Sequence, residues 1–179
     1  MPDRLSIHAP TLVNTIGHAA GAIIFGILLY LLFNDWRRNP SGKPVLPTVA
    51  AALALLWNLG SMVGLATDPQ SGFFADLIIA SSFSVLSFLP AVLLHISAGE
   101  SKLLVVSGYV ASTGAAVLHF VDLFTGAARY HYAAILLITI GFGVLTSVVL
   151  IRELTAQHYA AVRRQDDLIA EEAFASAKR

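Results

Sequence analysis

Along this chain, five long apolar runs alternate with short polar interruptions. The runs cover residues 11–33, 46–66, 73–97, 103–121 and 132–151. Each comes close to, or exceeds, the roughly 20 mainly apolar residues that a helix needs to cross hydrocarbon. The pattern predicts an all-α integral membrane bundle of five transmembrane helices, a domain over residues 1–152. The first run carries no charge and ends at Asn34-Asp35-Trp36-Arg37-Arg38. It is too long for a signal-peptide core of about 7–15 residues and lacks a small-x-small cleavage site, so it reads as a retained first helix. After residue 152 the pattern changes. Residues 153–179 are charged, alanine-rich and free of Gly and Pro, which predicts a further helix. Leu154, Ala161, Leu168 and Ala175 recur every seven residues, with His158, Gln165 and Glu172 at the companion positions. That is a weak dimer seam, or the face of an amphipathic helix lying on a membrane. The segment stops without a glycine cap or a breaker, so it is expected to continue as the start of a cytoplasmic signalling helix.

The interruptions set the orientation. Arg37, Arg38 and Lys43 follow the first run, Lys102 lies between the third and fourth, and the tail carries Arg152, Arg163, Arg164, Lys178 and Arg179. Positive residues favour the cytoplasm, so the N-terminus is expected outside and the C-terminus inside; Arg4 and Arg129 oppose this. Short loops predict antiparallel neighbours. Gly17 with Gly21, and Gly60 with Gly64, are small-xxx-small pairs that allow close helix approach. Ser81, Ser82, Ser84 and Ser87 are expected to face the bundle. Asn58 needs a partner in mid-membrane, and Pro90 is expected to kink the third helix.

Composition narrows the chemistry. The chain has 179 residues, 56% hydrophobic and 12% charged, with mean hydropathy +0.74. Soluble domains average about 25% charged residues, so the deficit points to lipid bilayer. Net charge is zero, and without a basic stripe nothing suggests nucleic-acid binding. There is no cysteine, which removes disulfides, iron–sulfur clusters and thiolate metal sites. Histidine and carboxylate chemistry remains.

Four histidines fall in or at the edges of the apolar runs: His18, His95, His119 and His131. Ionisable groups in lipid are expensive and mark functional sites by default. With the first helix running inward, His18 lies roughly 10 Å below the outer surface at 1.5 Å per residue. His119 and His131 share that outer half, and His95 lies near the inner end. His8, outside, and His158, in the tail, are expected to be solvated, although His8 would be placed to cap the site. Imidazole is a good ligand for iron, and haem is commonly held by histidine. His18 with His119 is the first-choice axial pair for haem b. His131 is the alternative ligand, set second because the short fourth loop would hold it near the surface, and His95 is a weaker candidate. Arg4, Arg129 or Asn14 would meet the propionates. The rival site is a transition-metal ion held by His18, His119, His131 and Asp122, one turn from His119. The plain alternative is that these histidines hydrogen-bond across helices, or sense pH, and bind no cofactor. No HExxH motif is present, which disfavours a zinc protease.

The stretches NTIGHAAGAIIFGILLYLLFNDWRR, LALLWNLGSMVGL, FSVLSFLPAVLLH and ITIGFGVLTSVVLIREL resemble the N-terminal membrane sensor domain of bacterial sensor histidine kinases. The resemblance covers most of residues 12–155. It implies a homodimeric, multi-pass protein of the bacterial inner membrane, acting in a two-component system, with a kinase module downstream. It implies no enzyme activity for this segment, since the phosphoacceptor context and ATP-binding motifs are absent from it and His158 lacks the acidic-Pro setting. The function expected is a transmembrane sensory input domain that binds haem b and senses redox state or a diatomic gas. The alternatives are an electron-transfer b-type cytochrome and a haem-free metal-ion or pH sensor. A pore or transporter is disfavoured by the lack of broken half-helices.

Overall fold

The computed structural model describes residues 9–38, 45–67, 72–98 and 101–177, with side chains described between residues 10 and 165. Arg4, His8, Lys43, Lys178, Arg179 and the side chains of Leu168, Glu172 and Ala175 lie outside that description. Five helices make up the fold: α1 (Ala9–Arg38), α2 (Val45–Ala66), α3 (Phe73–Ala98), α4 (Lys102–Thr125) and α5 (Arg129–Ala177). No strand occurs among the described residues. All five are long and apolar enough to cross a membrane, as the hydrophobic runs predict. The chain divides into two compact units after Gly143. The first holds α1 to α4 and the beginning of α5, and the second holds the rest of α5.

In the first unit α1 packs on α2, α2 on α3, and α3 on α4. The core is built from small side chains. Ala51, Ala54, Ala75, Ala80, Ala91, Ala115 and Ala134 are buried, together with Ser82, Ser84, Ser87 and Ser112. The larger apolar side chains Ile23, Ile27, Leu31, Leu56 and Val110 stay exposed. A water-soluble bundle would bury those. In lipid, burial of Leu against Leu has no hydrophobic driving force, so close packing of small residues and interhelical hydrogen bonds hold helices together.

The serine expectation is met for Ser82, Ser84 and Ser87, while Ser81 is half-buried. Ser82 donates to Ile78 O, Ser84 to Ala80 O and Ser87 to Phe83 O, each one turn back. Such back-bonding satisfies a hydroxyl that has no water to meet. Ser112 instead crosses from α4 and donates to Ser87 O at 2.6 Å. Ser84 also reaches Ala116 O at 3.4 Å, so the α3–α4 seam is clasped twice. No buried side-chain N or O is left without a hydrogen bond among the described residues.

The glycine pairs divide. A Cβ on Gly21 would overlap the Asn58 carboxamide, and one on Gly60 would overlap the Ser82 hydroxyl. Both therefore sit where another helix passes close. Gly17 faces open space, and Gly64 is at ordinary distance from Ile79, 3.6 Å. Helix α3 continues through Pro90.

Several helix ends lie beyond the apolar runs, and two of them bear on the site. Helix α4 does not stop at residue 121 but runs to Thr125. It ends on Gly126, whose φ of 61° is left-handed and whose N–H donates to Asp122 O at 2.8 Å. Glycine has no Cβ penalty there, which makes it the common residue for this cap. Helix α5 starts at Arg129, three residues earlier than the run at 132 suggests. Only residues 126–128 join the two helices. In the second unit the chain remains helical to Ala177, and Leu154, Tyr159 and Val162 are exposed.

Candidate functional site

The tight α4–α5 turn decides which histidines meet. His119 lies six residues before the end of α4, about 9 Å in at 1.5 Å per residue. His131 is the third residue of α5. Their Nδ1 atoms stand 3.2 Å apart, a hydrogen bond in which one ring donates its Nδ1–H and the other accepts with a bare Nδ1. His119 is almost completely buried at 3% exposure, while His131 is half-buried. Phe83 of α3 holds both rings. It stands edge-on to His131 at 4.8 Å and tilted against His119 at 5.4 Å between ring centroids.

Beside this pair lies a cavity of about 220 Å³. Two carboxylates, Asp76 and Asp122, line it together with both histidines. Asp76 is in the first turn of α3 and exposed, and Asp122 is in the last turn of α4 and half-buried. Phe73 and Phe124 flank this end of the bundle, 6.4 Å apart. Four ligand-type side chains from three helices thus line one cavity, although among the described residues no three of them converge as a metal-binding group.

The other sequence candidates have different partners. His18 places Nδ1 3.2 Å from Asn58 Oδ1. Since that oxygen only accepts, His18 donates, and its Nε2 is the unprotonated nitrogen of the neutral ring. The Asn58 amide donates to Ala54 O at 2.7 Å, and Trp57 stands edge-on to the His18 ring at 5.0 Å. The partner that Asn58 needs is therefore His18. His95 places Nδ1 3.2 Å from the Tyr109 hydroxyl. It lies 19 residues beyond Asp76 on α3, about 28 Å along the axis. Arg129, a candidate for propionates, lies over the Tyr130 ring at 4.9 Å and donates to the Tyr130 hydroxyl. The pair set second in the sequence, His119 with His131, is the one in direct hydrogen bond.

No family model, no curated protein and no solved structure matches this chain.

Pockets for drug-sized ligands run to about 300–1,000 Å³, larger than the cavity beside His119 and His131. Asp76 and Phe83 went unselected in the sequence. Asp76 had a signal: it is the only Asp, Glu, Lys or Arg in α3, a lone carboxylate of the kind that intramembrane chemistry singles out. Phe83 had none, since one aromatic among several in an apolar run carries no mark of its neighbours.

Proposed function

We propose that this chain is the sensory input domain of a membrane signalling protein of the sensor histidine kinase kind that its sequence resembles. In this reading the signal enters at the His119–His131 cavity as a small cation, a metal ion or a proton. The observation that carries it is the 3.2 Å Nδ1 pair beside a cavity lined by two carboxylates. Buried imidazoles change charge or ligation over the physiological range, which makes them common switch elements. A signal that alters the pair alters the hold of α4 on the first turn of α5, because His131 belongs to that turn. In the proposed topology the N-terminus is outside, in a bacterial inner membrane, and α5 leads into the cytoplasm, where a homodimer passes the change to a kinase module. No chemical conversion is assigned to this chain.

The absence of cysteine makes the test direct. Spin labels placed at Ser107→Cys and Val148→Cys report the α4–α5 distance in lipid nanodiscs. The expected result is a distance shift on acidification or on metal addition that is lost in His131→Ala. A distance that ignores both, or shifts equally in the variant, overturns the reading.

A further inference from the structure

We propose that the cavity is a mononuclear site for a first-row divalent transition metal, bound by His119 Nδ1, His131 Nδ1 and the carboxylates of Asp122 and Asp76, without His18. This rests on the sensory reading of the same cavity and names its ligand. The separation of the nitrogens carries the inference. Two metal–nitrogen bonds of 2.0–2.1 Å at a tetrahedral angle place their nitrogens about 3.3 Å apart. The observed separation is 3.2 Å. The spacing of the hydrogen-bonded pair is therefore also the spacing that coordination needs, so an ion could replace the shared proton without moving the helices. With both Nδ1 atoms bare, turning each ring by about 35° takes its lone pair off the N–N line toward a common point, as a tetrahedral angle at the metal requires.

Proton balance is simple. In the neutral pair one ring carries its proton on Nδ1 and the other on Nε2. Coordination requires both Nδ1 atoms bare, so the first ring exchanges its Nδ1 proton for one on Nε2, and no net proton is released. Among the described residues no three such side chains already converge on one point. The carboxylates complete the set by rotating. Asp122 is three residues after His119 on the same helical face, and Asp76 enters from α3 across the cavity. Two carboxylates balance a divalent charge that neither lipid nor neutral imidazole would neutralise. An N₂O₂ set without sulfur suits zinc, nickel, copper, cobalt or iron, with imidazole excluding magnesium and calcium by preference. Phe83, against both rings, keeps them from splaying apart.

Cobalt(II) is the probe, because tetrahedral Co²⁺ has intense visible d–d bands and octahedral Co²⁺ pale ones. The full chain, purified in detergent and treated with chelator, is titrated with Co²⁺. The expected result is one equivalent of Co²⁺ with tetrahedral bands, displaced by Zn²⁺. Binding weakens at least about tenfold in His131→Ala and in Asp122→Asn, the scale on which metal sites respond to lost partners. His18→Ala leaves it unchanged. Because His119 is buried, the half-buried His131 and Asp122 carry the test, with circular dichroism and size exclusion checking that each variant folds. Pale bands, no binding at millimolar Co²⁺, or bands surviving in both variants overturn the site. If Co²⁺ fails while the α5 label still answers to acid, the metal inference falls and the sensory reading stands on protons. If Co²⁺ binds as expected while the label stays still, the site stands and the sensory reading falls.

Discussion

Replacing Gly21 with alanine tests how α1 is held on α2. A Cβ there would overlap Asn58 Oδ1 and stand 2.8 Å from Cγ and 3.0 Å from Nδ2. Asn58 has little room to yield, because it is 3% exposed and tied to both Ala54 O and His18. Overpacking of this kind costs about 1–3 kcal/mol. Turning the amide away loses hydrogen bonds worth about 0.6 kcal/mol on average in membrane proteins, and at most about 1.7. Against that, Gly→Ala inside a helix gains about 0.5–1 kcal/mol. The expected net loss is about 1–2 kcal/mol. In an Asn58→Ala background the obstruction is gone and only the helix gain remains, so the same substitution becomes neutral or stabilising by up to about 1 kcal/mol. The change of sign is the signature, a coupling of about 2 kcal/mol. Reversible unfolding in mixed micelles of the four proteins of the cycle measures it. A Gly21→Ala cost equal in both backgrounds, within the roughly 0.5 kcal/mol by which independent sites add, refutes the close α1–α2 approach.

Three further outcomes follow from the same packing. Ser112→Ala removes the α4-to-α3 clasp on Ser87 O and is expected to cost about 0.6 kcal/mol in the same unfolding assay, the typical membrane hydrogen bond. At Gly108→Ala the nearest neighbours of the new Cβ are the Leu94 Cδ2 methyl at 2.8 Å and the Phe142 ring at 3.4 Å; since that methyl ends a rotatable side chain, the loss is expected to stay below that of Gly21→Ala. With a metal ion or proton as the signal, protein expressed with haem precursor is expected to show no Soret band and no sharp α/β bands on reduction with dithionite; a b-type spectrum lost in His18→Ala and His119→Ala would establish that pair as haem ligands instead.

The membrane-helix frame was legible because it depends on one-dimensional quantities. Five apolar runs of sufficient length give five helices whatever their partners are, and the small core residues follow from what lipid allows. Helix ends were less legible. The apolar run of α4 closes at residue 121, yet helix continues for another turn, through Asp122, to the left-handed cap at Gly126. A backbone cap is not a hydropathy signal, although glycine before the next run marks it. That extra turn is why placing His131 against His119 looked too superficial in sequence. The residue types of the site were readable one by one, since each histidine and lone aspartate stands out in lipid. Their pairing was not, because depth along an axis leaves rotation about it free. His18 and His119 are matched by depth, but Asn58 takes His18 and His131 takes His119.

That division of partners also bears on what kind of signal the bundle would carry. His18 and Asn58 form a closed set: the imidazole donates, the amide accepts and in turn donates to its own helix, with Trp57 against the ring. Such a set fixes the ring and leaves its Nε2 as the acceptor nitrogen. The His119–His131 pair is different in kind. Its single bond needs one bare Nδ1 and one Nδ1–H, so it exists for some protonation states of the two rings and not when both carry a second proton. It also borders open volume with two carboxylates. An element whose bonding survives in one state and fails in another is bistable, and a ligand shifts it only by the difference in its affinity for the two. Moving such an equilibrium from 1:99 to 99:1 takes about 5.5 kcal/mol. A divalent ion would supply that bias only to the extent that it binds one arrangement of the pair more tightly than the other, and the carboxylates of Asp76 and Asp122 on the same cavity are the groups that could make that difference.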